Sequence, residues 1–336
     1  MTLVGCIGGG QLGRMLALAG IPLGLRFRFL DPAADACTGE VGELLAGRYD
    51  DETLLDRLAD GAAVVTYEFE NVPVAAARRV GAVPDARALE QAQDRLREKE
   101  LFRRLGIPTA RFGSLEETGV PALVKTRRLG YDGKGQRVAT AVEPLTSDEL
   151  AEEIVPFGRE LSLVAVRGRD GAVAFYPLTE NVHRDGILRL SRAPAANAPE
   201  DAARDYATRL LEELDYVGVL ALELFEADGS LLANELAPRV HNSGHWTIDA
   251  ASTSQFENHL RAVLGLPLGS TEPTAPVAMV NLVGAAPPLA ELLALPRARV
   301  HLYGKEPRPG RKLGHVTLLD PDEATLAAAT RLAGGG

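Results

Sequence analysis

Three glycines near the N-terminus have the spacing of a phosphate-binding turn. Gly8, Gly10 and Gly13 form a G-x-G-x-x-G pattern in IGGGQLGRML, after the apolar run LVGCI. Asp31 follows about twenty residues later, where dinucleotide-binding proteins place an acidic residue for the ribose. Such glycines bring the N-terminus of a helix to a pyrophosphate. On its own, the pattern is compatible with a nicotinamide dehydrogenase.

A second glycine-rich stretch, GYDGKGQ at 130–136, joins two predicted strands, the first of which ends at Lys125. Its glycines permit conformations that expose backbone N–H groups, and Lys134 adds a positive charge, which together suit a polyphosphate. The stretch is not a Walker A loop, because it leads from strand to strand. A mobile hairpin loop without a ligand would show the same residues, so the stretch alone does not decide.

Two glutamates lie on either side of a predicted hairpin turn, Asp228-Gly229. A three-residue loop would place Glu223 directly opposite Glu235. A two-residue loop would pair Glu223 with Asn234 and leave Glu235 diagonal, so both registers bring the carboxylates close. Facing carboxylates among leucines repel each other, and a divalent cation such as Mg²⁺ shared with substrate phosphates removes the conflict. Two solvated glutamates on an open face are the alternative.

Two polar stretches follow the hairpin. RVHNSGHW at 239–246 contains the only tryptophan and two of the six histidines, and so many hydrogen-bonding groups after a metal carboxylate favour a ligand site over a structural loop. GKEPRPGRKLGHV at 304–316 clusters Lys305, Arg311 and Lys312 on a chain of net charge -10. This cluster suits a phosphate held by charge-assisted hydrogen bonds, although a solvated turn would look alike.

Together these motifs resemble the ATP-grasp superfamily, and within it the family of 5-(carboxyamino)imidazole ribonucleotide synthetases, ATP-dependent carboxylases of purine biosynthesis. The matching stretches run from residue 8 to 315 in that family's order: GGGQLGRML, TYEFENV, YDGKGQ, FYPLTENVHRDGI, NELAPRVHNSGHW and PGRKLGH. YDGKGQ and NELAPRVHNSGHW are specific to the family, whereas G-x-G-x-x-G is not. The resemblance implies that the glycine turn binds no dinucleotide and that Asp31 is an ordinary strand-end residue.

The resemblance also implies a set of site residues for ATP, Mg²⁺, bicarbonate and aminoimidazole ribonucleotide. The implied ATP-binding residues are Arg95, Lys125, Gly130, Tyr131, Asp132, Gly133, Lys134, Gly135, Gln136, Glu152, Glu153, Ile154, Val155, Glu160, His183, Asn234 and Glu235. The implied substrate-binding residues are Glu70, Tyr131, Asp132, Arg239, Asn242, Ser243, Lys305, Arg311 and Lys312. The implied catalytic residues are Arg239, His241, His245 and Lys305, and Glu223 and Glu235 would hold Mg²⁺.

Within this set the resemblance implies particular roles. The hinge at 152–155 would read adenine through backbone groups, and Glu160 would bind the ribose. Lys305, Arg311 and Lys312 would take the 5′-phosphate of the substrate. ATP would phosphorylate bicarbonate, and the resulting carboxyphosphate would release CO₂ to the substrate amine. Leu236 and Ala237 follow Glu235, so the further metal ligand that many ATP-grasp enzymes carry here is missing.

The elements that position these residues predict an α/β and α+β multi-domain fold. Residues 1–88 alternate apolar strands with helical patterns, which indicates a parallel sheet. A charged helix is predicted over 88–104, and strands dominate beyond it; a Pro/Gly/Thr/Ser linker lies at 267–276. By resemblance, 1–88 is a Rossmann-like pre-ATP-grasp domain, 89–270 the ATP-grasp domain with a lid subdomain at about 110–155, and 277–333 a small β-rich C-terminal domain.

Composition limits the functional classes. The net charge of -10 argues against a nucleic-acid or membrane surface as partner. Two cysteines make no disulfide framework, and neither a signal peptide nor a bilayer-spanning run is evident, so we expect a cytoplasmic protein. The family resemblance implies a homodimer. Three alternatives stay open: another ATP-grasp ligase, a nicotinamide dehydrogenase, and a non-enzymatic paralogue.

Overall fold

The structure is a computed structural model that describes residues 2–130 and 135–334. Four residues of the predicted phosphate loop, Tyr131, Asp132, Gly133 and Lys134, lie outside the described residues. Within the described ranges, the helices are all too short or too polar to cross a membrane.

The N-terminal region forms the predicted parallel sheet. Its four strands have the order β3-β2-β1-β4, and all three pairings are parallel. The strands are β1 (Leu3–Ile7), β2 (Arg26–Asp31), β3 (Glu43–Ala46) and β4 (Val64–Tyr67), and the helices are α1 (Gln11–Gly20), α2 (Glu52–Ala59) and α3 (Val74–Arg79). Because the strands are parallel, their carboxyl ends meet at one edge, where the glycine turn and the TYEFENV segment lie side by side.

Two helices replace the single charged helix predicted over 88–104. They are α4 (Ala86–Ala92) and α5 (Arg95–Arg104). The side chain of Asp94 caps α5 by accepting a hydrogen bond from the backbone N–H of Leu96, and it also accepts from Arg127 at 2.7 Å. An N-cap residue has extended backbone angles, so Asp94 interrupts the helix where periodicity alone predicted continuity.

A small antiparallel sheet follows, with its own core around Leu115, Val124 and Ala151. Its strand order is β5-β8-β6-β7. The elements are β5 (Phe112–Gly113), α6 (Leu115–Thr118), β6 (Ala122–Thr126), β7 (Gln136–Ala139) and β8 (Glu149–Glu153). The pairing of β6 with β7 places Lys125 opposite Gln136.

A nine-stranded sheet forms the rest of the molecule, with the order β14-β13-β9-β11-β12-β15-β17-β16 and with β10 beside β9. Its strands are β9 (Arg159–Arg167), β10 (Val173–Phe175), β11 (Thr179–Arg184), β12 (Ile187–Ala193), β13 (Gly218–Ala227), β14 (Ser230–Ala237), β15 (Val277–Val283), β16 (Ala298–Leu302) and β17 (Lys312–Leu319). Its helices are α7 (Glu200–Glu213), α8 (Thr247–Ala250), α9 (Gln255–Leu264), α10 (Leu289–Leu293) and α11 (Glu323–Leu332). Since β12 pairs with β15, the C-terminal strands extend the central sheet.

The N-terminal region and the large sheet share one hydrophobic core. Leu16 and Phe27 from the first sheet layer belong to the same buried cluster as Trp246, Phe256 and Leu260. Helix α1 packs against α9 within this cluster. This packing fixes the carboxyl edge of the parallel sheet against the polar stretch at 239–246.

Candidate active site

A cavity of about 660 Å³ lies between the parallel sheet, the small sheet and the large sheet. It is lined on one side by the ends of the parallel strands and α5, and on the other by β9, β11, β13 and β14. The structure brings most of the expected site residues together here: Glu70, Arg95, Lys125, Gly130, Gln136, Glu160, His183, Glu223, Asn234, Glu235, Arg239, His241, Asn242 and Lys312.

The two hairpin carboxylates face each other in this cavity. The turn has the two-residue loop, since Ala227 pairs with Ser230. A β-bulge then adds one residue, Asn234, on β14, so that Glu223 pairs directly with Glu235. The hairpin thus has the two-residue loop of one predicted register. It also has Glu223 opposite Glu235, which was predicted for the three-residue loop.

The cations beside Glu235 make this pair electrostatically uneven. Desolvation, together with the charge of Glu235, raises the pKa of Glu223. Desolvation opposes ionisation of Glu235 as well, but Arg95 at 3.3 Å and the nearby Lys125 outweigh it and lower the pKa of Glu235. One carboxylate is therefore ionised and the other tends to keep its proton. A divalent cation would replace that proton, so the donor set fits a hard cation.

Two neighbouring groups complete this end of the cavity. His241 Nε2 lies 3.2 Å from Glu223 Oε1, and burial holds the pKa of His241 well below its usual value, so a neutral imidazole contacts the carboxyl group. The Oδ1 atom of Asn234 is buried and has no hydrogen-bond partner within the described ranges. This atom could serve as a further oxygen ligand for a cation. From the sequence, Asn234 was expected only to bind the nucleotide.

Lys125 is held by a buried carboxylate. Its Nζ donates to Glu152 Oε2 at 3.0 Å, and Lys99 Nζ lies 3.3 Å from the same oxygen. Burial raises the pKa of Glu152, but Lys99 and Lys125 outweigh it and hold the value at about 2. Burial also lowers the pKa of Lys99 even beside Glu152, so the ion pair only partly offsets the desolvation of that ammonium.

The expected adenine hinge, residues 152–155, begins in the small sheet. The backbone of Glu152 lies between Phe112 of β5 and Leu123 of β6 in the small sheet, and its side chain points to the lysines. Among the residues described, the cavity lining includes none of the four hinge residues 152–155. An apolar wall is present instead, where the rings of Phe157 and Phe225 stack with centroids 4.5 Å apart. Sequence periodicity could not reveal this pair, because the two rings come from segments distant in the chain.

Glu160 and His183 form a second polar pair in the cavity. His183 Nδ1 lies 2.5 Å from Glu160 Oε2. Burial disfavours the charged imidazole, but the hydrogen bond to Glu160 raises the pKa of His183 overall. Adjacent antiparallel strands β9 and β11 supply the two residues, so the sheet itself sets their separation.

The glycine turn has its anion position filled by the protein. Glu68 accepts hydrogen bonds from the backbone N–H groups of Gly10 at 2.6 Å and Gly13 at 2.8 Å. Asp31 accepts from the N–H of Gly9 at 2.7 Å. A pyrophosphate would have to displace the Glu68 carboxylate from the helix N-terminus. The dehydrogenase alternative therefore loses its cofactor site, and Asp31 has a structural role in the turn.

Of the basic residues expected to bind substrate, some line the cavity and others lie beside it. Arg239 lines the cavity and forms an ion pair with Glu70, its Nε lying 2.8 Å from Glu70 Oε2. Lys305 is half-buried and donates to Oε1 of Gln11, whose side chain lines the cavity. Arg311 donates to the carbonyl of Glu306 on the exposed side of its turn.

Two residues of the 239–246 stretch lie behind the cavity. His245 is 1% exposed, and its Nδ1 lies 3.2 Å from the hydroxyl of Tyr303. Ser243 is also buried, and its Oγ lies 2.9 Å from Nδ1 of His241. The short 3₁₀ helix Asn242–Gly244 turns these side chains away from the cavity. Direct contact of His245 and Ser243 with substrate is thus not supported, and Ser243 positions His241.

Glu98 is a cavity residue that sequence reasoning missed. Its Oε1 accepts a hydrogen bond from the backbone N–H of Leu236 at 2.5 Å. Burial and the neighbouring charge of Glu235 raise its pKa. Glu98 belongs to the charged run of α5, where a buried carboxylate looks no different from the solvated ones around it.

Comparisons with known proteins agree with this architecture. Three family models match: a ribonucleotide synthetase preATP-grasp domain at 1–93, an ATP-grasp domain at 101–256, and a phosphoribosylaminoimidazole carboxylase C-terminal domain at 277–329. The N5-carboxyaminoimidazole ribonucleotide synthase of Pseudomonas aeruginosa is 52% identical over 347 residues, which cover 97% of this chain and 96% of that protein.

Solved structures give the same result. The N5-carboxyaminoimidazole ribonucleotide synthetase from Thermus thermophilus is 56% identical, with a TM-score of 0.93 and 98% of each chain covered. The N5-carboxyaminoimidazole synthase from Aspergillus clavatus, solved in complex with ADP and 5-aminoimidazole ribonucleotide, is 31% identical, with a TM-score of 0.88 over 98% of this chain and 99% of that chain. The resemblance and the fold class predicted from the sequence are confirmed. The chain belongs to the N5-carboxyaminoimidazole ribonucleotide synthases, a family of ATP-grasp ligases.

Proposed function

We propose that this chain carboxylates the exocyclic amine of 5-aminoimidazole ribonucleotide, using ATP and bicarbonate, in the de novo synthesis of purines. The observation that carries the proposal is the facing pair Glu223 and Glu235, which shares one cavity with the cations Arg95, Lys125 and Arg239. A site of this kind collects the negative charge of a triphosphate and of an anionic acceptor. The Aspergillus relative, solved with ADP and 5-aminoimidazole ribonucleotide, supports both ligands.

ATP would lie along the large sheet. Phe157 and Phe225 form an apolar wall that suits the adenine ring, and Ile154 and Val155 come just before it in the chain. Glu160 and His183 supply polar groups for the ribose hydroxyls. Lys125 is directed by Glu152 towards the phosphates.

Magnesium would be held by Glu223 and Glu235, with Asn234 Oδ1 as a further oxygen ligand. When bound, the ion supplies charge neutralisation for the β- and γ-phosphates. Arg95 contacts Glu235 and would turn towards the phosphate oxygens once the carboxylate binds the ion.

The aminoimidazole ribonucleotide would occupy the end of the cavity near Arg239, Asn242 and Lys312. The ion pair between Glu70 and Arg239 fixes the guanidinium in place. Lys305 lies beside this end through its bond to Gln11 and would take the 5′-phosphate together with Lys312. Arg311 would join them only after its side chain leaves the carbonyl of Glu306.

The proposed reaction has three steps. A bicarbonate oxygen attacks the γ-phosphorus in line, the bond to the β-phosphate oxygen breaks, and ADP leaves. The carboxyphosphate formed breaks into CO₂ and inorganic phosphate. The amine then forms a bond to the carbon of CO₂ and loses a proton, which the neutral imidazole of His241 would accept. The glycine-rich loop at 130–136 would cover the site and exclude water, since carboxyphosphate hydrolyses readily.

The test is phosphate release from ATP with Mg²⁺ and bicarbonate, with and without 5-aminoimidazole ribonucleotide. We expect strong stimulation by the ribonucleotide and a loss of about 100-fold or more in Glu235→Gln. Asp228→Asn is the matched control, because it removes one charge from the turn of the same hairpin and leaves the cavity intact. ATP hydrolysis that ignores the ribonucleotide would mean another substrate, and no turnover at all would refute the proposal.

Labelled bicarbonate tests the intermediate separately. Attack of a bicarbonate oxygen on phosphorus transfers that oxygen to phosphate, so ¹⁸O-bicarbonate should give inorganic phosphate with one ¹⁸O atom. Unlabelled phosphate would refute the carboxyphosphate step and leave the overall carboxylation standing. A homodimeric state and a cytoplasmic location complete the proposal, and light scattering on the purified protein tests the first of these.

A further inference from the structure

A cluster of two histidines and an aspartate lies outside the cavity, where the C-terminal strands meet α8. His301 of β16 and His315 of β17 are directly paired on neighbouring antiparallel strands, and their rings stack with centroids 4.5 Å apart. Nε2 of His301 lies 2.8 Å from Oδ2 of Asp249. One ligand atom from each of the three residues lies within 4.8 Å of the other two.

His315 contributes a buried nitrogen that lacks a partner. Its Nδ1 lies 2.7 Å from the hydroxyl of Tyr303, whereas its Nε2 has no hydrogen-bond partner among the described residues. The residue is 0% exposed, and burial lowers the pKa of its imidazole well below the usual value. A buried polar atom left unpaired is costly, and a neutral imidazole nitrogen is a common metal ligand.

The hydrogen bonds around His315 are compatible with a free lone pair on Nε2. If Nδ1 carries the proton, it donates to the oxygen of Tyr303. The Tyr303 hydroxyl can then donate to Nδ1 of His245, which lies 3.2 Å away. Metal-binding histidines have their second nitrogen oriented in the same manner.

We propose that Asp249, His301 and His315 form a site for a transition-metal ion, with Zn²⁺ the best match. Two imidazoles and one carboxylate are a donor set typical of Zn²⁺, and Mg²⁺ prefers oxygen ligands alone. The His301 side chain is 27% exposed and that of Asp249 is 11% exposed, so a water molecule can supply the fourth ligand from the solvent side. The site is separate from the magnesium position of the proposed function.

Such an ion would join the two segments that carry the substrate end of the cavity. Asp249 follows the polar stretch 239–246, which contains Arg239 and His241. His301 lies on β16 and His315 on β17; Lys305 lies in the segment between these strands, and Lys312 is the first residue of β17. The ion would therefore stabilise the contact between α8 and the C-terminal strands and keep these residues in register.

The test is a Zn²⁺ titration of chelator-treated protein in excess Mg²⁺ and ADP, which occupy the active-site ligands. We expect one Zn²⁺ per chain and a higher thermal midpoint when it binds. His301→Ala should weaken Zn²⁺ at least tenfold and abolish the thermal shift. His183→Ala, which removes a histidine from the nucleotide site, should retain both.

Two further measurements test the same three ligands. If His301→Ala does not fold, Asp249→Asn preserves the side-chain volume and removes the anionic ligand, and it should also weaken Zn²⁺. With Co²⁺ in place of Zn²⁺, the visible absorption should be that of a four-coordinate site with nitrogen ligands. Equal Zn²⁺ affinity in wild type and His301→Ala, or loss of binding in His183→Ala, would overturn the proposal. Neither result bears on the proposed function, which phosphate release from ATP tests separately.

Discussion

Replacing Glu152 by glutamine should be among the most damaging single changes to the fold. The Glu152 side chain is 3% exposed and contacts the ammonium groups of Lys99 and Lys125 at 3.3 and 3.0 Å. Glutamine keeps the shape but removes the negative charge. Two buried ammonium groups then lie side by side without the one carboxylate that contacts both of them.

Two routes give the same size for this effect. Breaking a buried ion pair by removing one partner costs about 3–5 kcal/mol. The pKa of Glu152 falls from the usual 4.5 to about 2, which at 1.36 kcal/mol per unit corresponds to about 3 kcal/mol. Because the folded pKa is the lower one, this stability is present above about pH 4.5 and is lost as the pH falls towards 2.

Urea unfolding at several pH values measures both quantities. Glu152→Gln should unfold with a free energy lower by about 3 kcal/mol at pH 7, and the difference from wild type should shrink in acid. Glu153→Gln is the matched control, since Glu153 pairs with the largely exposed Arg111 and should cost at most about 1 kcal/mol. Combining Glu152→Gln with Lys99→Met should cost less than the sum, because one of the unpaired ammonium groups is gone. Equal losses for the two glutamates at every pH would refute the reasoning.

Three further predictions concern His259, Gly10 and Phe157. Burial lowers the pKa of His259 to about 4, so below pH 6.5 the unfolded chain binds a proton that the folded chain does not bind. The free energy of unfolding should therefore fall by about 3 kcal/mol between pH 6.5 and 4. Urea unfolding of His259→Gln should show a smaller decline. Gly10→Ala would place a methyl group 2.5 Å from Glu68 Oε1 and should cost about 1–3 kcal/mol by the same assay, whereas Gly39→Ala, with its nearest contact at 3.5 Å, should not. Phe157→Ala removes a stacking surface and should raise the KM for ATP about tenfold without changing that for the ribonucleotide.

At the hairpin, the local sequence predicts part of the site but not all of it. The turn and the closeness of Glu223 and Glu235 could be predicted, because an Asp-Gly pair separates two apolar runs and is typical of a hairpin turn. The bulge at Asn234 could not, since it depends on contacts from elsewhere in the chain. Lys99 of α5 donates to the carbonyl of Asn234 at 2.9 Å, and Thr109 bridges to the neighbouring Ala233.

The glycine turn shows the opposite case, in which a local pattern is real but its usual ligand is absent. The sequence correctly placed Gly8–Gly13 at the start of α1 beside a parallel sheet. The pattern carried no information on what would bind the exposed N–H groups. Glu68 fills that position from the end of β4, and only the folded sheet brings the two strand ends together.

In the stretch at 239–246, the high density of polar residues predicted a site, but it did not predict which of these residues line the cavity. Arg239, His241 and Asn242 do line the cavity, but the hydroxyl of Ser243 accepts a hydrogen bond from Ser162 at 2.7 Å, beneath the sheet. Ser162 in turn accepts from Asn181 at 2.9 Å.

The same stretch therefore satisfies its polar groups in two ways. Those facing the cavity are left for ligands, and those facing inward join a buried network. A dense polar run is costly to bury without partners, but a ligand is only one possible partner. The period of the 3₁₀ helix decides which residues face which side, and a sequence that shows no periodicity there cannot reveal it. His245 was expected to contact the substrate because it lies in this polar stretch. Its side chain instead forms a hydrogen bond with Tyr303 in the network that supports the site.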